Sequence, residues 1–251
     1  MVAAAGAMGL AAAGWRLGWL TGGGAVAAVF VGAAVFWAGP GPAVALGVFF
    51  VSGSALTSVN RRAGKTSDDS ERGGRTARQV FANGGVAALG ALLTHVAPEA
   101  GWCVVLGSLS AAQADTWATE IGARARQRPR LITTLRPVPA GTSGGMTGLG
   151  TTSGVAGATV LAISGFLVGA PHALAAFVGG VAGLLIDSLL GATVQGRFYC
   201  DGCGQETERR VHRCGARTRC RRGLGWLDND AVNAGATLAG AGISLALSPW
   251  F

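Results

Sequence analysis

This sequence is short of charge. Asp, Glu, Lys and Arg make up 13% of its 251 residues, where a soluble domain of ordinary composition carries about 25%. Half of the chain is hydrophobic and the mean hydropathy is +0.43. That shortage excludes an ordinary soluble domain. The 43 glycines do not signal disorder, because disorder requires low hydrophobicity. Many small residues in an apolar chain instead point to a polytopic helical membrane protein, where Gly and Ala let helices approach closely. The first apolar stretch also lacks a basic start and a clear cleavage site, so a signal peptide is not the reading. Trp15 and Arg16 near its end make it a spanning or half-spanning helix.

Apolar segments run roughly over 2–20, 22–39, 42–59, 80–97, 101–121, 150–169, 171–195 and 230–249. Most approach the ~20 residues of a spanning helix. The expected fold is all-α, a transmembrane bundle of about 7–8 spanning helices in a single membrane domain over 1–251. The net charge of +8 suits nucleic acid only if the positive residues are spread over a soluble surface, and they are not. Apart from Arg16, six of the twenty Lys and Arg lie in 61–78, five in 124–136 and eight in 197–222. With eight crossings, every basic connection falls on one side. The positive-inside rule puts that side in the cytoplasm of a multi-pass cell-membrane protein. Membrane lipids are the expected surroundings, nucleic acid is not an expected partner, and a homodimer is left open.

The few acidic residues are placed unusually. Asp115 and Glu120 sit late in one inward-running segment and Asp187 late in another, while Asp228 and Asp230 open the last. A carboxylate at the membrane is costly and calls for a named partner. Pairing with arginines at the interface is the plain explanation for any one of them. Five converging on one face beside basic loops favour a shared metal site, and Mg²⁺ suits hard oxygen ligands in the company of phosphates.

Two flanking loops offer phosphate contacts. Gly64-Lys65-Thr66 is not a P-loop, since Val59 stands where that motif needs a glycine. Arg75, Arg78, Gln79 and Asn83 lie at near-helical spacing and can face the carboxylates, with arginine suited to bidentate phosphate contact. Gly141, Thr142, Ser143, Gly144 and Gly145 run into a membrane helix. The stretch reads either as a flexible linker or as a backbone cradle for phosphate.

Cysteine is absent from the rest of the chain except for Cys103 and one polar insert, 196–229. There Cys200-Asp201-Gly202-Cys203 precedes His212-Arg213-Cys214 and Cys220. This spacing predicts a structural Zn²⁺ site from Cys200, Cys203 and Cys214, with His212 and Cys220 competing for the fourth position.

The chain resembles the integral membrane family that includes transmembrane protein 19 and plant phytyl-phosphate kinase. The resemblance covers nearly the whole chain. It rests on Gln79 to Gly85, Ala114 to Gly122, Pro137 to Gly145, Asp187 to Gln195 and Asp228 to Asn233. A weaker likeness to CTP-dependent polyprenol kinases and CDP-lipid synthases rests on Asp115-Thr116-Trp117-Ala118-Thr119-Glu120-Ile121-Gly122, the Gly141–Gly145 block and Asp228-Asn229. The lysine those proteins carry before the Gly/Ser block is absent, and Arg136 is its candidate replacement. The resemblance implies CTP-dependent phosphorylation of an isoprenoid monophosphate to the diphosphate at the cytoplasmic face. It implies Mg²⁺ on Asp115, Asp187 and Asp228, with Glu120 and Asn229 beside them. Phosphates would be held by Arg61, Lys65, Arg75, Arg78, Asn83, Arg136 and the 141–145 loop. The rival expectation is an ion-coupled transporter or lipid carrier, with the carboxylates as the coupling site. Clustering at one edge rather than at the bilayer midplane counts against it. A zinc-stapled scaffold without chemistry is the third.

Overall fold

The apolar segments form eight α-helices in the computed structural model, which describes residues 2–64 and 73–250. They are α1 (Val2–Arg16), α2 (Gly22–Trp37), α3 (Pro40–Arg62), α4 (Ala77–Leu93), α5 (Pro98–Gly122), α6 (Gly148–Leu167), α7 (Ala173–Thr193) and α8 (Asn229–Leu247). Local chemistry sets where they start. Thr21 and Thr147 cap α2 and α6 through the N–H groups of Gly24 and Gly150. Thr76 and Gln79 form a reciprocal capping box on α4. Prolines occupy the first turns of α3 and α5, where a missing N–H costs nothing.

The chain is a polytopic helical membrane protein. By length and composition α3, α6, α7 and Asn229–Trp250 can each cross a membrane, and α2 is a shorter apolar helix. Helix α1 has 15 residues, about 22 Å at 1.5 Å per residue, against a hydrocarbon core of ~30 Å. It ends at Arg16, short of the expected end near 20, because the chain turns at Gly18 (φ +68°) and pairs Leu20 with Arg75. Large apolar side chains such as Phe30, Leu89, Phe166 and Leu238 point outward, as suits a lipid-facing surface.

Helix α5 is the axis. It packs against α3, α4, α6, α7 and α8, and every residue from Val105 to Ala114 is buried. A helix surrounded by other helices needs no apolar face for lipid, which is why this one tolerates Ser108, Ser110 and Gln113 at its centre. Helix α7 lies close against it. A Cβ on Gly180 would come within 2.1 Å of Ser110 Oγ, and one on Gly183 within 2.4 Å of Ala111 Cβ. The α5–α8 approach is equally tight, with Gly240 against Ala111 and Gly107.

Among the described residues, strands occur only in the connections. Arg130–Leu131 (β1) pairs with Gly145–Met146 (β2), so the Gly-rich stretch is part of a short hairpin and not a free linker. The insert folds as a three-stranded antiparallel sheet in the order β4-β3-β5, from Arg197–Cys200 (β3), Gln205–Thr207 (β4) and Arg219–Arg222 (β5).

Candidate functional site

The seam between α5 and α7 places the first two carboxylates. Ala111 meets Gly183 on this seam. One helical turn further along each helix stand Asp115 and Asp187, on the same faces because residues four apart overlie one another. The two carboxylates are near enough to interact electrostatically. Both line a cavity of about 880 Å³, toward the upper end of the range for small-molecule sites. Its walls draw on the connections around 18–19, 74–79, 122–129 and 140–147, on Gln195, and on 208–209 and 228–230. The connections that carry the basic clusters therefore meet at one end of the bundle.

The acidic residues separate by the partners they have. Glu120 is fully engaged: Thr57 Oγ1 donates to Oε1, and Asn60 Nδ2 donates to Oε2 at 2.6 Å and to the Glu120 carbonyl at 2.6 Å. Arg124 Nε in turn donates to Asn60 Oδ1 at 2.8 Å. This buried network ties the ends of α3 and α5 together and puts an acceptor bond on each Glu120 oxygen. Asp228 caps α8 by accepting from the Ala231 N–H at 3.2 Å, and its other oxygen pairs with Arg78 Nη2 at 2.7 Å. Asp230 pairs with the same guanidinium at 3.5 Å. For these two, pairing with an arginine at the interface accounts for the charge. Asp115 and Asp187 have no such partner among the described residues, and Asp187 Oδ2 is buried without a hydrogen bond. A buried, unsatisfied carboxylate oxygen is costly. Two adjacent carboxylates opening on a cavity form an oxygen-only donor set, and that set fits a hard divalent cation.

The other expected contacts are mostly brought to the same cavity. Arg61, Arg75, Arg78, Asn83, Asn229 and the whole run Gly141–Gly145 line it. Arg61 Nη1 also donates to the Gly18 carbonyl at 3.0 Å. The Arg75 guanidinium stacks 5.2 Å above the Phe49 ring, and a Cβ on Gly53 would lie 2.7 Å from its Nη2 and 3.1 Å from Thr116 Cγ2. Gly53 therefore lets the Arg75 guanidinium lie close against α3 beside Thr116, the residue that follows Asp115. Gln79 serves the α4 cap rather than a ligand contact. Arg136 is exposed and lies outside the cavity lining, because its backbone closes the 131–135 turn, accepting from the Leu131 N–H at 3.0 Å. Lys65 lies outside the described residues.

The 141–145 loop is more ordered than a linker and less open than an empty cradle. Thr142 N–H donates to the Pro139 carbonyl and Gly145 N–H to the Thr142 carbonyl. Gly144 (φ +77°) packs so closely on α7 that a Cβ would lie 2.6 Å from the Ser188 carbonyl oxygen. Ser143 is met by Glu208 of the insert: its Oγ donates to Glu208 Oε1 at 2.5 Å. Gln195 Nε2 donates to Glu208 Oε2 at 3.2 Å. Asn60, Gln195 and Glu208 had not been expected at the site.

The insert forms the second candidate centre. The ligand atoms of Cys200, Cys203, His212 and Cys214 all lie within 4.8 Å of one another. Cys200 Sγ is 3.6 Å and His212 Nδ1 3.2 Å from Cys214 Sγ, close to the roughly 3.8 Å between ligands of a tetrahedral Zn²⁺ site with 2.3 Å bonds. Two tight turns shape the cluster. One is closed by the Gly204 N–H on the Cys200 carbonyl, the other by the Gly215 N–H on the His212 carbonyl. His212 completes the set. Cys220 stands apart, with its thiol toward the Arg222 carbonyl at 3.6 Å. The Ala216 backbone N–H, then His212 and the neighbouring thiols, pull the Cys214 thiol down to about 6, while its hydrogen bond with Cys214 first of all pushes Cys203 up to about 11. A Cys₃His cluster of this shape can hold a metal such as zinc.

Comparison with known proteins agrees with the membrane fold. No solved structure matches the chain. Protein PGR of Arabidopsis thaliana is 30% identical over 219 residues, covering 74% of each chain. An uncharacterized membrane protein of Synechocystis is 31% identical over 235 residues, covering 88% of this chain and 78% of its own length. Another, from Methanocaldococcus jannaschii, is 35% identical over 150 residues, or 57% of this chain and 61% of its own. The model of the family described as integral membrane protein DUF92 matches residues 5–241, and the chain belongs to that family.

Proposed function

We propose that this protein is a Mg²⁺-dependent phosphotransferase of the membrane surface, transferring the γ-phosphoryl group of CTP to an isoprenoid monophosphate. The observation that supports it best is the pair Asp115 and Asp187, unpartnered among the described residues, opening on a cavity also lined by Arg61, Arg75 and Arg78. Asp115 and Asp187 would hold the cation, and Asp228 would join them only on release from Arg78. Bound Mg²⁺ would neutralise charge on the phosphate oxygens and align them for in-line transfer. An acceptor phosphate oxygen attacks the γ-phosphorus, a new P–O bond forms, the β–γ bridging bond breaks, and CDP leaves with its electrons. The acceptor is already an anion, so no side chain need remove a proton. The arginines hold the two phosphate-bearing substrates together, which is where most of the catalysis would lie. The isoprenoid tail would run among the helices, while the basic connections would face the cytoplasm.

The same proposal carries the link to plant phytyl-phosphate kinase and to transmembrane protein 19, whose resemblance suggested it. Zinc in the insert would be structural. The location of the paired carboxylates, a turn beyond the packed centre of α5 and α7 and beside the polar connections, favours an interfacial enzyme over an ion-coupled transporter, whose site belongs at mid-helix. Purified protein in detergent with radiolabelled CTP, Mg²⁺ and a series of isoprenyl monophosphates tests the proposal. Label should appear in the isoprenyl diphosphate, and omission of Mg²⁺ should abolish it.

A further inference from the structure

The contact between the insert and the Gly-rich loop has a chemistry of its own. Glu208 lies between the two halves of the Cys/His cluster, after Cys203 and before His212. Its placement is further held by the Thr218 hydroxyl on the Arg209 carbonyl at 2.7 Å and the Thr218 N–H on the Arg210 carbonyl at 2.9 Å. From there its carboxylate reaches into the main cavity. One oxygen accepts from the Ser143 hydroxyl at 2.5 Å and lies 3.4 Å from the Ser143 N–H. The other accepts from the buried Gln195 amide at 3.2 Å. Arg197 Nη2 donates to the Ser143 carbonyl at 3.1 Å and holds the loop in that attitude. A backbone N–H, a hydroxyl and an amide converging on one anion are the donors a phosphate would use.

We infer that Ser143 and Gln195 form an anion subsite for a substrate phosphate, and that Glu208 fills this subsite until the phosphate displaces it. The inference rests on the cavity being a phosphate site, as proposed above. Two anions cannot share the same donors, so Glu208 opposes binding, and the metal-stapled insert sets how firmly it does so. The insert is then a plug on the site it borders, released when the insert loosens or when substrate competes. The shared chemistry is a phosphate group, and either the nucleotide or the isoprenoid monophosphate can supply it.

Titration calorimetry on the full-length protein in detergent tests this, with Mg²⁺ fixed and inorganic pyrophosphate, CTP and an isoprenyl monophosphate as separate probes. Glu208→Gln keeps size and one acceptor but removes the charge. It should bind at least one probe about fivefold more tightly than wild type, a size in keeping with a partly exposed charge. The probe that gains identifies which phosphate the subsite takes. Cys203→Ser, which frees the insert, should shift affinity in the same direction, and Ser143→Ala should weaken it. If wild type binds the probes and Glu208→Gln binds all of them equally or less well, Glu208 is a prop for the loop and the inference fails while the proposed function stands. If neither protein binds any probe, the phosphate reading of the cavity fails and this inference with it.

Discussion

Asp115 and Glu120 are five positions apart on one helix, yet their surroundings give them opposite roles. Glu120 has an acceptor bond on each oxygen, from Thr57 and Asn60, and works as a strut. Asp115 has none among the described residues and faces the cavity. Asp115→Asn keeps size and polarity and removes only charge. It should insert and fold normally while phosphoryl transfer falls about 100-fold, some 3 kcal/mol of transition-state stabilisation. Asp187→Asn should do the same, and the double variant should be far less than additive, because one cation is lost once. Asn60→Ala belongs to the other class. It strips Glu120 of a buried donor and should destabilise the protein by about 1–3 kcal/mol, read as a lower thermal midpoint in detergent. An unchanged midpoint would contradict the strut assignment. Asp115 stood out in the sequence because a carboxylate inside an apolar run is conspicuous on its own. Asn60 and Glu208 did not, because they matter through partners 60 and 65 positions away, and Gln195 did not, because its partner lies 13 positions on in a separate insert; sequence spacing carries no record of such pairs.

The elements were more legible than the contacts between them. Apolar length alone places the eight described helices to within about four residues at each end, although α1 stops at Arg16 where the chain turns to meet Arg75. The Cys-x-x-Cys and His-x-Cys spacings located the insert's cluster, while the choice of His212 over Cys220 needed the strand register that carries Cys220 away. The Gly-rich stretch was ambiguous because the same glycines serve a linker or a tight contact. Its packing on α7 decides for the contact. Two predictions belong to this scale. Gly183→Val puts branched carbon where a Cβ already falls 2.4 Å from Ala111. It should cost about 1–3 kcal/mol or more and disturb Asp115 and Asp187 together, so that stability and activity fall in step. Activity lost at unchanged stability would show that the seam does not position the pair. In the insert, one Zn²⁺ per chain should co-purify, and Cys203→Ser should lose it. Well-folded wild type without metal would contradict the assignment.

At the scale of the whole molecule, the polar connections that line the cavity sit at one end of the bundle and an apolar belt surrounds the helices. The positive charge sorted onto those connections predicts that they face the cytoplasm. A cysteine introduced at Arg128 should resist an impermeant thiol reagent in intact cells and react after permeabilisation. Reaction from outside would invert the topology. On the proposed function, an isoprenoid tail would lie among the helices while its phosphate meets the nucleotide in the basic, carboxylate-bearing cavity. The most direct measurement is transfer of label from γ-labelled CTP to isoprenyl monophosphates by the purified protein, run beside Asp115→Asn. Wild type should form labelled isoprenyl diphosphate in a Mg²⁺-dependent manner, and the folded variant about 100-fold less. A folded wild type that transfers no label to any isoprenyl monophosphate, or an Asp115→Asn protein as active as wild type, would contradict the proposed function.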